Sequence, residues 1–254
     1  MNSQESVLSN ILEVSHLSVE FKKDKKPFLA VNDVSFSVAE GETLGLAGES
    51  GCGKSTLSRA ILGIQKRGVT GTVNHYSKRP MMVFQDPAGS LNPAQKIGFI
   101  LEEPLKIKGG YTKEERQKKV RDMLKLVDLK EDLLDRYPST LSGGQCQRIC
   151  IAASLMQEPA LLIADEPVSA LDVTVQSQIL KLFEKIKKEL NLSIIFISHD
   201  LRVIYSVCDR VMIMKDGAIV EEGLRDELYF NPKHPYTKQL MDAARTKYVK
   251  VTKN

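Results

Sequence analysis

Apolar runs and amphipathic stretches alternate along the chain in a readable order, strand-like near the start, helical in the middle and mixed thereafter. Residues 12–21 and 29–38 carry β-branched side chains in partial alternation, which predicts two strands. The charged stretch 22–27 lies between them as a turn. Glu40-Gly41-Glu42 breaks the pattern before an apolar strand at 43–47, and a helix follows over 55–62, stopped by Gly63. Residues 68–73 and 80–84 read as short strands joined by a compact polar segment. Residues 86–104 hold Pro87, Gly89, Pro93 and Pro104 and read as a loop. Thr112-Lys113-Glu114-Glu115 is a capping box, and Val120, Met123, Leu124 and Val127 then fall on one helical stripe. Ser142-Gly143-Gly144-Gln145 opens another helix by the same capping logic, running to about Met156. Residues 86–156 therefore form a mostly helical insertion between two strand-rich segments.

The mixed pattern then resumes. Residues 160–164 are a short apolar strand. Val175, Ile179, Leu182, Ile186 and Leu190 share a helix face, and 193–198 is a strand of the fully buried kind. Residues 210–214 and 218–221 flank Asp216-Gly217, a strong hairpin turn. The expected organisation is one domain over 1–254, with 86–156 as its insertion and 222–254 as a C-terminal tail.

Composition changes this picture little. The chain has 254 residues, 42% hydrophobic and 27% charged, which is ordinary for a soluble globular protein. The net charge of +4 is spread out, so nucleic-acid binding is not implied. Cys52, Cys146, Cys150 and Cys208 form no C-x-x-C pair, so neither a disulfide framework nor a cysteine metal site is expected. Residues 1–10 are polar, and no signal peptide is expected there. No run of about 18 apolar residues exists, so any membrane role is expected to come through partners.

The chemistry starts at Gly48-Glu49-Ser50-Gly51-Cys52-Gly53-Lys54-Ser55-Thr56, which fits the phosphate-loop pattern G-x-x-x-x-G-K-[ST]. The predicted strand precedes it and the predicted helix follows. Glycines let successive N–H groups converge on phosphate oxygens, and the helix N-terminus adds partial positive charge. Lys54 can neutralise the β- and γ-phosphates, and the Ser55 hydroxyl can hold Mg²⁺. Strand 160–164 ends in Asp165-Glu166, the Walker B arrangement: Asp165 to hold Mg²⁺, usually through water, and Glu166 to polarise the attacking water. Strand 193–198 ends at His199, which can reach a γ-phosphate from there.

Leu141-Ser142-Gly143-Gly144-Gln145 resembles the signature motif of ATP-binding-cassette (ABC) ATPases. Phosphate loop, Gln85, signature, Asp165-Glu166, Ser169-Ala170-Leu171-Asp172 and His199 stand in that family's order, and the resemblance covers nearly the entire chain. It implies an α/β fold: a mostly parallel core sheet carrying the phosphate loop, a small antiparallel β subdomain and an inserted helical subdomain. It also implies a head-to-tail pair of cassettes sandwiching ATP, either two copies of this chain or this chain with a related ATPase. Ser142 and Gly144 would then contact the γ-phosphate held by the opposite subunit, alongside Gly143 and Gln145. Asp172 would lie at the dimer interface. Gln85 would touch Mg²⁺ and the attacking water. Phe21 matches the aromatic that stacks on adenine, with Phe28 as a second candidate.

Residues 45–56, the stretch Val83-Phe84-Gln85-Asp86-Pro87 with Ser90-Leu91-Asn92-Pro93, and Asn231-Pro232-Lys233-His234-Pro235-Tyr236-Thr237-Lys238 look like the oligopeptide/dipeptide/nickel importer ATPases. That resemblance implies two transmembrane permease subunits, an extracytoplasmic substrate-binding protein, and a peripheral location on the cytoplasmic face of the membrane. A groove near Leu91, Ile97, Phe99 and Ile100 would receive the permease, unless those side chains are buried. Val168, Cys146 and Ala153 depart from the group's usual residues, and 63–83 is shorter than usual. The alternative is a soluble ABC ATPase acting on ribosomes or nucleic acid. The single cassette and lack of sustained heptads weigh against it.

Overall fold

The computed structural model describes residues 9–23, 26–77 and 80–251, with 245–251 by backbone alone. Most of the polar stretch 1–10 lies outside the described residues, as do parts of the 22–27 turn and of the polar segment before 80.

Two strands, β1 (Asn10–Lys23) and β2 (Lys26–Ala39), pair antiparallel, and β4 (Val69–His75) adds to the other side of β1. This three-stranded sheet, in the order β2-β1-β4, is the antiparallel subdomain. The larger sheet contains β3 (Thr43–Ala47), β5 (Met81–Val83), β6 (Leu161–Asp165), β7 (Ser193–Ser198), β8 (Arg210–Lys215) and β9 (Ala218–Leu224). Its order is β5-β6-β7-β3-β8-β9, parallel except for the last pair. Strands β3, β6 and β7 are buried along their whole length, as a parallel sheet covered on both faces requires.

Alternation divides those strands between two cores. Leu44, Leu46, Ile195 and Ile197 pack with Val14, Leu17 and Val34 of the small sheet and with Leu57 of α1 (Lys54–Ile61). Ala47, Ile194 and Phe196 point the other way, into the core shared with the helices. Each large aliphatic chain fully buried this way stabilises the fold by roughly 1.5–3 kcal/mol.

The helical insertion contains α2 (Pro87–Ser90), α3 (Ile97–Lys108), α4 (Lys113–Leu126), two 3₁₀ turns and α5 (Gly143–Leu155). The loop expected over 86–104 is corrected here: its second half is the start of α3, with Pro104 inside the helix. Proline removes one N–H donor, yet the buried stripe Ile97, Leu101 and Leu105 holds the helix on both sides of it. Leu91 and Ile97 are core residues, whereas Phe99 is exposed. The capping boxes at Thr112/Glu115 and Ser142/Gln145 both form, each with reciprocal side-chain to backbone bonds.

After β6 come α6 (Val173–Leu190), α7 (Leu201–Val207), α8 (Arg225–Phe230) and α9 (Pro235–Val251). Asp216 and Gly217 both take positive φ, 48° and 83°, as the β8–β9 hairpin requires. Leu228, Tyr236 and Met241, from α8 and α9, join the helix-side core. Val168 and Cys146 are buried as well, and the Cys146 thiol donates to the Pro138 carbonyl at 3.6 Å.

Candidate active site

The phosphate loop joins the C-terminal end of β3 to α1. Gly53 precedes that helix with φ 113°, and a Cβ there would meet the Ala30 carbonyl at 2.2 Å, so only glycine fits. Lys54 is only 5% exposed, and its ammonium donates to the Gly48 and Glu49 carbonyls at 2.8 Å each. The Gly217 N–H, on the β8–β9 turn, donates to the Cys52 carbonyl at 3.0 Å and braces the loop from behind. The Cys52 thiol lies beneath the loop, 3.8 Å from the Lys54 ammonium. Burial raises that thiol above the ordinary range, against the opposing Lys54 charge.

Two strands away, β6 ends at Asp165, with Glu166 next. Asp165 is buried, and burial raises its carboxyl above the usual range, while a hydrogen bond with Ser55 and the charge of Lys54 pull it down. Glu166 takes a left-handed φ of 47°, and its N–H donates to Ile197 of β7 at 2.9 Å. The chain therefore turns sharply at the C-terminal end of β6. The Glu166 carboxylate lies 2.9 Å from Nδ1 of His199, the first residue beyond β7. Because Asp165 is level with Ile197 in the β6–β7 register, both strand ends open on the same crevice.

That crevice is a cavity of about 650 Å³. Gly48, Glu49, Ser50, Gly51, Gly53, Lys54, Ser55 and Thr56 line it, with Gln85, Glu166 and His199 opposite. Phe21 and Phe28 line it too; they are register partners across β1–β2, 38% and 49% exposed. Both candidates for the adenine-stacking aromatic thus border the same cavity. Leu201 and Leu240 complete the wall, and sequence reasoning assigned neither of them to the site.

Ser142, Gly143, Gly144, Gln145 and Asp172 do not line this cavity. They lie together elsewhere, at the N-termini of α5 and α6. A Cβ on Gly144 would meet Val175 of α6 at 2.7 Å, so glycine there permits close helix packing. Asp172 caps α6, accepting the Val175 N–H at 3.0 Å, and is itself exposed. Ser142 and Gly143 are exposed at the start of α5, where the helix presents free N–H groups.

A phosphate loop, a carboxylate-histidine pair and a separate, exposed helix-start motif thus occur in one chain. A family model described as ABC transporter matches residues 31–169. The chain belongs to the ABC transporter family. It is 46% identical to the oligopeptide transport ATP-binding protein OppF of Haemophilus influenzae, over 96% of this chain and 81% of that protein. It is 43% identical to the dipeptide transport ATP-binding protein DppF of Escherichia coli K12, over 96% of this chain and 79% of that one. Among solved structures, the dimeric post-hydrolysis state of the ATP-binding cassette MJ0796, bound to ADP and Pi, superposes with a TM-score of 0.75 at 28% identity. That match covers 84% of this chain and 98% of the other. As a member of this ABC family the chain is an ATPase, and the expected cassette fold is the observed one. The ribosome or nucleic-acid alternative finds no support in these matches.

The donor set suits Mg²⁺. Asp165 is a carboxylate taken out of water, and it lies against the Ser55 hydroxyl, so a hard cation would offset its burial. Among the described residues, no helix is long and apolar enough to cross a membrane.

Proposed function

We propose that this ABC ATPase is a nucleotide-binding subunit of an importer for peptides or for nickel and metal chelates, attached peripherally at the cytoplasmic face of the membrane beneath two permeases. The observation that carries the catalytic part is the Glu166–His199 pair, at the ends of adjacent strands, facing the phosphate loop across one cavity. The transport part rests on the likeness to OppF and DppF.

In this reading Phe21 and Phe28 hold the adenine. The loop N–H groups and Lys54 receive the phosphates; the ammonium exchanges the Gly48 and Glu49 carbonyls for phosphate oxygens. Ser55, Gln85 and Asp165 would hold Mg²⁺, which supplies positive charge at the β- and γ-phosphates. Glu166 orients the attacking water and takes its proton, and His199 keeps the carboxylate aimed. Ser142, Gly143, Gly144 and Gln145 of a second cassette, this chain or a relative, close the site over the γ-phosphate, with Asp172 at the same interface. An extracytoplasmic binding protein delivers the substrate.

Affinity purification from gently solubilised membranes, followed by mass spectrometry, tests the assembly. Two permeases and a substrate-binding protein are expected to co-purify. Uptake of labelled peptides and of ⁶³Ni²⁺ into vesicles bearing that complex then identifies the cargo. Recovery of ribosomes or DNA enzymes without permeases would overturn the transport reading and leave the ATPase chemistry intact.

A further inference from the structure

The stretch Asn231 to Lys238 marks this group of ATPases in sequence, yet it has no part in the site described so far. In the fold it reaches the phosphate loop. Tyr236, in the first turn of α9, is 5% exposed, and its hydroxyl accepts the Glu49 N–H at 3.3 Å. The two residues are 187 positions apart in the chain. The Lys215 ammonium, at the end of β8, lies 4.8 Å from the centroid of the Tyr236 ring. Further along α9, Leu240 lines the nucleotide cavity.

The start of α9 is itself pinned. Glu221 of β9 accepts the N–H of Lys233 at 2.7 Å and of His234 at 3.0 Å. His234 Nδ1 accepts the Tyr236 N–H at 3.2 Å. Tyr236 is thus fixed to the β8–β9 hairpin, whose turn also holds the Cys52 carbonyl. The loop is gripped at Glu49 and at Cys52 from a single framework.

The grip at Glu49 falls on one peptide unit. Its carbonyl, from Gly48, accepts the Lys54 ammonium, and its N–H, from Glu49, donates to Tyr236. When Lys54 turns to a phosphate, that carbonyl loses its partner. The Tyr236 hydroxyl is then the hold that remains on this peptide, and it keeps the following N–H groups aimed inward. Anion binding by converging amides depends on their being set in advance.

We infer that residues 233–240 act as a strap on the phosphate loop, with Tyr236 as a positioning residue for nucleotide binding. The inference rests on the reading of the cavity as the ATP site. Tyr236→Phe keeps the ring and its packing and removes only the hydroxyl. In the 254-residue chain, titration calorimetry with Mg·ATP is expected to show Kd raised about three- to tenfold, the range that loss of one such hydrogen bond gives. The melting-temperature rise that ATP produces is expected to shrink, because that rise follows [ATP]/Kd. A purely structural hydroxyl would instead lower the melting temperature equally with and without ATP and leave Kd unchanged, and that result overturns the strap. Lys215→Met, which removes the cation from the ring while leaving the hydroxyl in place, is expected to raise Kd less than Tyr236→Phe; a larger rise would contradict the role given to the hydroxyl. Absence of ATP binding by the unmodified chain would overturn the site reading and the strap together, whereas normal binding with an unshifted Kd in Tyr236→Phe overturns the strap alone.

Discussion

Among Lys54, Gln85, Glu166 and His199, Glu166 is the one with a left-handed backbone. A left-handed φ of 47° on a residue with a Cβ costs on the order of 1–3 kcal/mol, and the N–H to Ile197 and the His199 contact hold it there. Glu166→Gln keeps the shape and removes the base. Steady-state turnover is expected to fall at least ~10²-fold while ATP still binds and the ATP-bound dimer lives longer. Multiple turnovers at the unmodified rate would contradict the role. The Asp165, Glu166 and His199 positions were legible because each sits at a strand end that apolar residues mark, and Lys54 because the glycine-spaced loop fixes its place ahead of α1. The Tyr236 contact was not. A tyrosine in a proline-broken stretch carries no local sign of a partner 187 residues away. Nor could alternation decide between Phe21 and Phe28, since they are partners on one face of a hairpin.

At the scale of elements, local capping bonds decide where helices start, and burial overrides a proline within one. Thr112 and Ser142 open α4 and α5 as their spacing predicts, because a capping box is satisfied within four residues. Pro104 marks a break in the sequence pattern, but burial of Ile97, Leu101 and Leu105 outweighs one missing hydrogen bond. The insertion is also tied together electrostatically. Glu158, after α5, accepts Lys108 of α3 at 2.8 Å and Lys119 of α4 at 2.7 Å. Those bonds, Lys108 first, hold its carboxyl down at about 2 against an ordinary 4.5. A depressed carboxylate stabilises the fold above the unfolded value and loses that effect as pH falls through the folded one. The pairs are half-exposed, so the effect is under ~1 kcal/mol. In urea titrations, Glu158→Gln is expected to be slightly less stable than the unmodified chain at pH 6, with the gap closing as pH drops from 4.5 toward 2. A gap that stays constant with pH would mean the carboxylate charge contributes nothing.

Across the whole molecule, the phosphate loop and the Ser142–Gln145 motif do not share a cavity. That separation fits the proposed head-to-tail pair, which the resemblance to ABC ATPases implies and in which each chain would lend one half to each of two sites. Self-pairing makes a quantitative prediction. Lys54→Ala disables one half and Gly143→Asp the other. Random mixing makes half of the dimers mixed, each with one intact interface of two, so about a quarter of unmodified turnover should return. Pairing with a related cassette predicts no recovery, and an ATPase assay of the mixture separates the two. The core strands β3, β6 and β7 were legible as mainly apolar stretches, whereas their grouping into a parallel sheet beside a small antiparallel one rested on the family resemblance. The lateral order of the strands was not legible, because pairing between distant segments leaves no periodicity to read.

That order also has a consequence for how the chain is made. β3 carries the phosphate loop, but its neighbours in the sheet are β7 and β8, which begin at Ser193 and Arg210. During synthesis the first motif to emerge waits for some of the last segments before it has any strand beside it. Pairings this distant are slow to form. A nascent chain halted before Ser193 would hold its glycines, Lys54 and Ser55 in sequence and have no sheet to set them in.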